Sequence, residues 1–285
     1  MTPRQYQASS AMARLRYWIT EREAIRKLKD AGHPGPWTRD PILQKYKFCN
    51  VLRRDDRVSR WVFENWIVPN YNDSQMLVAM CLARHFNTIP FLSRIGYPAH
   101  FSPEDIRQHA HNSILAEEKQ FSAAYMIKCG KGQSKVDYVL ETVVRVFDYQ
   151  RAYGLPELPP IMEQWVDWLC GFKGFGSFLA GQVVADLRWG MVGPWRDRRT
   201  WAPIGPGSRR GMNRYHGREL KKSFKPGQFL DELQGLMRRE SKKLPTGLTR
   251  RMEAIDWQNC LCEFDKYERT VWDGKRPKQL YKSTM

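Results

Sequence analysis

The chain has 285 residues, enough for one large domain, and 42% of them are hydrophobic, which excludes a disordered chain. Lysine and arginine number 47 against 30 acidic residues. The resulting net charge of +17 favours a polyanionic partner, nucleic acid before a membrane, because no apolar run approaches the roughly 20 residues of a spanning helix.

Apolar residues recur with helical spacing through most of the chain, so the predicted fold class is all-α. Asp40-Pro41 has the capping residue and the first-turn proline of a helix start, and Ser102 and Ser134 are predicted caps of two later helices. Tyr125 to Ile127 is interpreted as a short extended piece. Helices are predicted over residues 10–29, from 41 onward, and over 55–67, 73–86, 103–117, 135–150, 159–169, 226–240 and 249–271.

The stretch 165–189 predicts a helix, a tight glycine turn and a second helix. In this turn Gly174 and Gly176 let backbone N–H groups point outward together, and Phe175 plugs into the core. Ser177 is the predicted cap of the second helix, whose N-terminus adds partial positive charge. With Lys173, these residues form a predicted site for a DNA backbone phosphate, although short glycine turns also link ordinary helices.

The hairpin resembles the helix-hairpin-helix of base-excision DNA glycosylases, but two features of that family are missing. Residues 201–211, the stretch comparable to the family's catalytic segment, hold no aspartate. Phe178 and Leu179 stand where a bifunctional glycosylase would carry its lysine. The resemblance therefore implies a glycosylase-like scaffold without glycosidic chemistry.

Residues 190–216 combine five glycines and three prolines with many arginines, and they predict a long irregular loop. Within it, Ser208, Arg209 and Arg210 offer a hydroxyl and two guanidinium groups suited to a phosphate or pyrophosphate. A mobile basic loop is the alternative. The whole of 1–272 is predicted to be one mainly helical catalytic domain, followed by a frayed basic tail over 273–285.

Two further segments carry dense polar groups. Arg53 and Arg57 lie one helical turn apart in the first segment, beside Asp56. In the second segment, Glu263 and Lys266 share one face of a predicted helix. A carboxylate in such a dense group of acids and bases can serve as a general base. Surface ion pairs are the alternative interpretation of both segments.

Six cysteines at positions 49, 81, 129, 170, 260 and 262 form no CxxC pair and have no histidine at zinc-ligand spacing. We expect reduced, mostly buried thiols in a cytosolic protein, with no protein-bound metal site. The chain also lacks a Walker A motif, which disfavours a kinase.

Three blocks of sequence together carry a second resemblance: residues 36–51, 205–211 and 261–267. On these blocks the chain resembles the phage amino acid:DNA transferases, first proposed as α-glutamyl/putrescinyl-thymine pyrophosphorylases and similar to the helical domain of 5-hydroxymethyluracil DNA kinases. The resemblance runs from about residue 15 to 272.

This resemblance implies a step in thymine hypermodification within an infected bacterial cytoplasm. The substrate would be double-stranded phage DNA in which 5-hydroxymethyluracil has been pyrophosphorylated. The amine of a free amino acid, such as glycine or glutamate, or of putrescine would displace pyrophosphate. The resemblance implies no membrane partner and defines no cofactor. Mg²⁺ is the metal ion considered, as an aid to the departure of pyrophosphate.

The chemistry assigns expected roles to particular residues. A carboxylate must take the amine proton, and the leaving pyrophosphate needs cations and hydrogen-bond donors. The target base must leave the stack, beside an aromatic such as Trp37 or Trp201. The catalytic candidates are Glu263, Asp265, Lys266 and Asp40. The substrate and pyrophosphate candidates are Arg53, Asn50, Asp56, Arg57, Ser208, Arg209, Arg210 and Trp37.

Two other functions stay open. A non-catalytic DNA-binding module that accompanies a hydroxymethyluracil DNA kinase would bind DNA without any dependence on amino acids. A glycosylase acting on modified thymine would release free base or leave abasic sites.

Overall fold

The computed structural model describes residues 3–122, 127, 129–191, 194–277 and 279–281. Within them the fold is all-α, as predicted. These described residues form no β-strand, and their β-type pairing is an isolated antiparallel bridge between Tyr46 and Leu280. None of the described helices is long and apolar enough to cross a membrane. The predicted extended piece at 125–127 falls mostly outside the described residues.

The chain divides into two compact units, one formed by Met1–Asp56 with Arg199–Met285 and the other by Arg57–Arg198. The prediction of one catalytic domain over 1–272 stays a prediction. The helices of the first unit are α1 (Pro3–Ala8), α2 (Ala11–Asp30), α3 (Pro41–Lys45), α11 (Pro206–Tyr215), α12 (Gln228–Glu240), α13 (Thr246–Thr249) and α14 (Ala254–Asp273), with a 3-10 turn at Arg53–Asp55. Those of the second are α4 (Arg57–Val62), α5 (Met76–Phe86), α6 (Ile89–Ile95), α7 (Pro103–Leu115), α8 (Lys135–Tyr153), α9 (Met162–Cys170) and α10 (Ser177–Gly190), with a π-helical turn at Phe63–Ile67.

The predicted helix caps at Asp40, Ser102 and Ser134 are confirmed. Asp40 Oδ1 accepts hydrogen bonds from the backbone of Ile42 and Leu43 at 2.9 and 3.0 Å. Ser102 and Ser134 accept backbone hydrogen bonds at the starts of α7 and α8 in the same way. Each cap satisfies N–H groups that would otherwise lack an acceptor, so it fixes where its helix begins.

The prediction of an irregular loop over 190–216 is wrong for its last third, where residues 206–215 form α11. Gly207 and Gly211 lie one helical turn apart on the face that packs against α14. A Cβ at Gly207 would stand 2.3 Å from Cys262 Sγ, and one at Gly211 would stand 2.0 Å from Leu261 O. The glycines therefore permit close helix packing, and that packing outweighs their poor helix propensity.

The core of the first unit is built around α14, which contacts α11, α12 and α2. Trp18 and Ile19 of α2, Phe229 of α12 and Trp257 and Phe264 of α14 are almost completely buried. In the second unit, α5 is buried along its whole length and packs against α8 and α10.

The tail is less frayed than predicted, because part of it pairs with the segment after α3. The backbone N–H of Lys47 donates to Gln279 O at 3.0 Å, and that of Tyr281 donates to Lys45 O at 3.1 Å. The Tyr281 ring packs edge-on against Trp37, with ring centroids 5.8 Å apart. These contacts hold residues 279–281 against the first unit.

Candidate functional site

One face of α14 lies along the segment 47–53, which runs from the residues after α3 to the 3-10 turn at Arg53–Asp55. Side chains at helical spacing satisfy the backbone groups of that segment in antiparallel order. Asp256 Oδ1 accepts from Arg53 N at 2.8 Å, Glu263 Oε2 accepts from Cys49 N at 3.0 Å, and Lys266 Nζ donates to Lys47 O at 3.0 Å. The helix therefore holds the segment rigidly, together with the polar side chains that it carries.

Asp56 lies just after this segment and folds back onto it. Its Oδ1 accepts a hydrogen bond from the backbone N–H of Asn50 at 2.7 Å. The pKa of Asp56 is raised to about 7, mainly by burial and in part by the nearby Glu263 carboxylate, whereas the Asn50 hydrogen bond and the Arg53 charge lower it. A carboxyl that titrates near neutral pH is suited to general acid–base chemistry.

Glu263 and Lys266 form an ion pair one turn apart on α14, with 3.0 Å between Lys266 Nζ and Glu263 Oε2. The Lys266 ammonium also lies over the Phe48 ring, 4.6 Å from its centroid. Burial lowers the pKa of Lys266, but the Glu263 carboxylate outweighs that effect, so the net shift is upward. Lys266 therefore stays cationic near neutral pH, a form that is suited to stabilise negative charge or to donate a hydrogen bond.

Arg22 of α2 reaches the same cluster and is only 5% exposed. Its guanidinium donates to Cys49 O at 3.1 Å and to Asn50 Oδ1 at 2.6 Å. Its Nη1 is buried without any hydrogen-bond partner. Within the described residues, Arg22 forms no salt bridge with a carboxylate, so a buried positive charge with an open donor faces this cluster.

Arg22 is not among the site residues predicted from the sequence, although the sequence carries a signal for it. Leu15, Trp18, Ile19 and Ile25 of α2 are buried on one face, and Arg22 occupies a position of that same face. A charge within an apolar stripe is unusual because burying it is costly without compensation. Such a residue is therefore a candidate for a site.

Asp265 points from α14 toward α11 and is completely buried. It accepts hydrogen bonds from Arg210 Nε at 2.8 Å and Arg214 Nε at 2.9 Å, and its Oδ2 lies 3.2 Å from Arg269 Nε. Both oxygens of this carboxylate are thus engaged by guanidinium groups of α11 and α14. This geometry gives Asp265 and Arg210 a structural role in joining α11 to α14.

The other candidates of the 205–211 block are set apart from the cluster around Asp56 by their own contacts. Ser208 is fully buried, and its hydroxyl bonds with the backbone N–H and carbonyl of Gly205, so it closes the first turn of α11. Arg209 is exposed on the same helix. The expected phosphate-cradling loop is therefore the start of a packed helix.

Asp40 and Trp37 are occupied by local contacts. Asp40 Oδ2 accepts hydrogen bonds from the phenols of Tyr17 and Tyr267, in addition to the helix cap made by Oδ1. Trp37 Nε1 donates to His33 O at 2.7 Å, and Lys29 Nζ lies 5.0 Å from the Trp37 ring centroid. Asp40 therefore stabilises the fold around α3, whereas the Trp37 ring stays partly exposed.

Arg53 and Arg57, one turn apart in the sequence, belong to different units of the structure. Arg53 is 7% exposed in the first unit, where its charge lowers the pKa of Asp56. Arg57 is exposed and begins α4 of the second unit.

The hairpin of the second unit has the predicted helix–turn–helix form, with α9 ending at Cys170 and α10 beginning at Ser177. Phe175 is buried as expected, and its ring packs edge-on against His85 at 5.3 Å. Gly174 has φ +108°, and a Cβ there would stand 2.3 Å from Thr142 Oγ1. Gly174 is therefore required by conformation and by close packing together.

The predicted capping role of Ser177 is wrong, because Gly176 is the N-cap and no side chain caps α10. A Cβ at Gly176 would meet nothing within 4 Å. Lys173, Gly176 and Ser177 are all exposed, so the N-terminus of a 14-residue helix opens beside a lysine. This arrangement is suited to an anion.

In the described part of the chain, no three His, Cys, Asp or Glu side chains are grouped so that they could hold a metal ion. The described cysteines are all free thiols. Burial, together with the Glu263 carboxylate, raises the pKa of Cys49 well above its ordinary value and that of Cys262 to about 12. These thiols therefore stay protonated near neutral pH.

Comparison with known proteins gives matches at the level of sequence. The 5-hmdU DNA kinase of Bacillus phage SP10 is 25% identical over 212 residues, which cover 64% of this chain and 32% of that protein. The match thus spans about a third of the length of the kinase. No solved structure matches the chain. The family model for the helical domain of 5-hmdU DNA kinase matches residues 9–276, and the chain therefore belongs to this family.

Proposed function

We propose that this chain modifies phage DNA by transferring an amine onto 5-pyrophosphoryloxymethyl-uracil, with pyrophosphate as the leaving group. The amine belongs to an amino acid, such as glycine or glutamate, or to putrescine. One observation carries the proposal: in a chain of this family, a carboxyl that titrates near neutral pH, Asp56, lies in a cluster of cations. The phage relative supports an infected bacterial cytoplasm as the place of action.

The reaction needs a base, and Asp56 is our first candidate. Its Oδ1 is occupied by Asn50 N, and Oδ2 is left for the substrate. Oδ2 takes a proton from the ammonium of the donor, the freed amine nitrogen bonds to the 5-methylene carbon, and the bond from that carbon to the pyrophosphate oxygen breaks. The electron pair of the broken bond leaves with pyrophosphate.

Glu263 is the second candidate for the base. Both of its hydrogen bonds, from Cys49 N and Lys266 Nζ, reach Oε2, so this carboxylate already joins the 47–53 segment to Lys266. We therefore place Glu263 beside the reaction as a positioning residue for Lys266 and the 47–53 segment.

The leaving pyrophosphate requires positive charge. Arg53 and Arg22 act on Asp56, and Lys266 is paired with Glu263, which also acts on Asp56. These three cations would stabilise the charge that develops as the carbon–oxygen bond breaks. A Mg²⁺ ion bound to the pyrophosphate itself would contribute in the same way. Arg209, exposed on α11, and Arg57, in the other unit, are left as contacts to DNA phosphates.

DNA binding is proposed for the hairpin of the second unit. Lys173 and the open N-terminus of α10 supply a cation and backbone donors, and the chain as a whole has a net charge of +17. The target base must leave the stack. Trp37 stays available to it because its ring is partly exposed, whereas Trp201 is buried.

Mass spectrometry of nucleosides tests this function. The protein is incubated with DNA that contains 5-pyrophosphoryloxymethyl-uracil, with a mixture of amino acids and putrescine, and the DNA is then digested. A new nucleoside whose mass equals that of an aminomethyl adduct supports transfer and names the donor. Intact substrate with every amine, while the DNA is still bound, would contradict it.

A second candidate is a non-catalytic DNA-binding module that partners a hydroxymethyluracil DNA kinase. The match to a third of the length of a phage kinase supports it, because a helical part of that length can accompany a separate catalytic part. This module would bind the same DNA with an affinity that no amine changes. It would also leave every nucleoside mass unchanged.

A further inference from the structure

A buried guanidinium and two surface ammonium groups lie near one another in the first unit, where Asp56 acts on the guanidinium and Asp30 on one ammonium without forming an ion pair with it. Arg22 is 5% exposed, and its Nη1 has no hydrogen-bond partner. Lys29, two turns further along α2, and Lys47, in the segment after α3, are exposed residues. Among the residues that the structure describes, none of the three forms a salt bridge.

The two lysines converge on a single aromatic ring. Lys29 Nζ lies 4.9 Å and Lys47 Nζ 5.8 Å from the centroid of Tyr281. Burial lowers the pKa of Lys29, and the charges of Arg22 and Lys47 lower it further, whereas Asp30 opposes them. The positive charges of Arg22 and Lys47 therefore act unfavourably on the Lys29 ammonium.

An anion would offset this unfavourable interaction. A buried charge is ordinarily paired, and an unpaired donor of a buried arginine costs the desolvation of that group. An oxyanion at Nη1 would satisfy the donor and neutralise the repulsion between the cations. Three positive charges suit a ligand with several negative charges better than a single carboxylate, and guanidinium and ammonium groups are the usual partners of phosphoryl oxygens.

We propose that Arg22, Lys29 and Lys47 bind a phosphoryl oxyanion, with Arg22 Nη1 as its buried donor. The role of this site in the reaction, as the seat of the leaving pyrophosphate or of a DNA phosphate, rests on the proposed function. Phosphoryl binding itself can be measured without any transfer.

Binding is measured by isothermal titration calorimetry with two probes, inorganic pyrophosphate and a short unmodified DNA duplex. Lys29→Gln and Lys47→Gln remove exposed charges and leave the core untouched. Each substitution should weaken the affinity for the probe that occupies the site about fivefold, and the double variant should weaken it more than tenfold. Lys242→Gln is the matched control, because Lys242 is an exposed lysine of the same unit that lies after α12.

Arg22→Lys keeps the positive charge but loses the Nη1 donor, and it should weaken the affinity for the same probe tenfold or more. Because Arg22 also supports the 47–53 segment, the circular dichroism and melting temperature of the Arg22→Lys protein are compared with those of the wild type. If Arg22→Lys unfolds, the two lysine variants decide the result.

The probe whose binding the substitutions weaken identifies the source of the phosphoryl group. Equal affinity of wild type, Lys29→Gln and Lys47→Gln for both probes would overturn the site, and so would a wild type that binds neither probe. The phosphoryl site would also be overturned if glutamate displaced the DNA duplex and pyrophosphate did not, because the cations would then bind a carboxylate. None of these outcomes decides whether amine transfer occurs, which the nucleoside masses report separately.

Discussion

Gly211 of α11 lies directly on the backbone of Leu261 in α14, so closely that a Cβ at position 211 would stand 2.0 Å from the Leu261 carbonyl oxygen. This contact sets the distance between two helices, and with it the reach of Arg210 and Arg214 to Asp265. The glycine that the sequence suggests for a phosphate loop thus serves the packing of the unit that carries the candidate site.

Gly211→Ala should destabilise the protein by about 1–3 kcal/mol, because a backbone carbonyl cannot move aside as a side chain can. Urea unfolding followed by circular dichroism measures the change. Gly247→Ala is the control, since a Cβ there meets nothing within 4 Å. Equal midpoints for the two variants would show that α11 and α14 are not held at this distance.

Asp265→Asn should destabilise the protein by about 3 kcal/mol, because Arg210, Arg214 and Arg269 would lose the carboxylate that balances them. Asp231→Asn, at an exposed position of α12, should cost less than about 1 kcal/mol. Thermal melts of the two variants make the comparison. If Asp265→Asn melts with the wild type while losing amine transfer, Asp265 acts in the reaction rather than in the fold.

The pH dependence of transfer should follow Asp56. Below its pKa of about 7 the carboxyl is protonated and cannot accept a proton, so the rate should rise with pH through about 7 and then level off. Asp56→Asn should lower the rate by roughly 10²–10⁴-fold and remove this step. Rates measured from pH 5 to 9 on pyrophosphorylated DNA provide the test.

Glu263→Gln is the companion variant for the same profile. It removes a neighbouring negative charge that raises the pKa of Asp56, so the step should move to lower pH without disappearing. A profile that loses its step in Glu263→Gln and keeps it in Asp56→Asn would make Glu263 the base.

The stability of the second unit should fall as the solution is made acidic, through His85. Burial lowers the pKa of His85 to about 4, whereas the unfolded side chain takes up its proton near 6.5. The unfolded state therefore binds the proton first, and folding loses up to about 3 kcal/mol as pH falls from 6.5 to 4. His85→Leu, similar in volume, should be less sensitive to pH in this window, as measured by urea unfolding at several pH values. Parallel curves for the two proteins would contradict the prediction.

Local signals in the sequence predict much of the fold. Asp40, Ser102 and Ser134 mark helix starts because their side chains cap the helices within three residues. The hairpin at 171–176 is likewise a local feature. By contrast, α11 could not be predicted, because its glycines are explained only by α14, which lies about 50 residues away in the sequence.

The candidate site is predictable in part for the same reason. Glu263 and Lys266 are one turn apart on a helix, so their pairing follows from spacing. The approach of Asp56 and Arg22 to them depends on tertiary packing between α2, the 47–53 segment and α14. The pKa of Asp56 depends on that burial, and spacing alone therefore does not single Asp56 out as a base.

The most direct test of the account is the stoichiometry of amine incorporation and pyrophosphate release on DNA that contains 5-pyrophosphoryloxymethyl-uracil. With a labelled donor identified by mass spectrometry, the account predicts one pyrophosphate released for each amine incorporated, and negligible release without an amine. Pyrophosphate release without incorporation, or the appearance of free base and abasic sites, would contradict it.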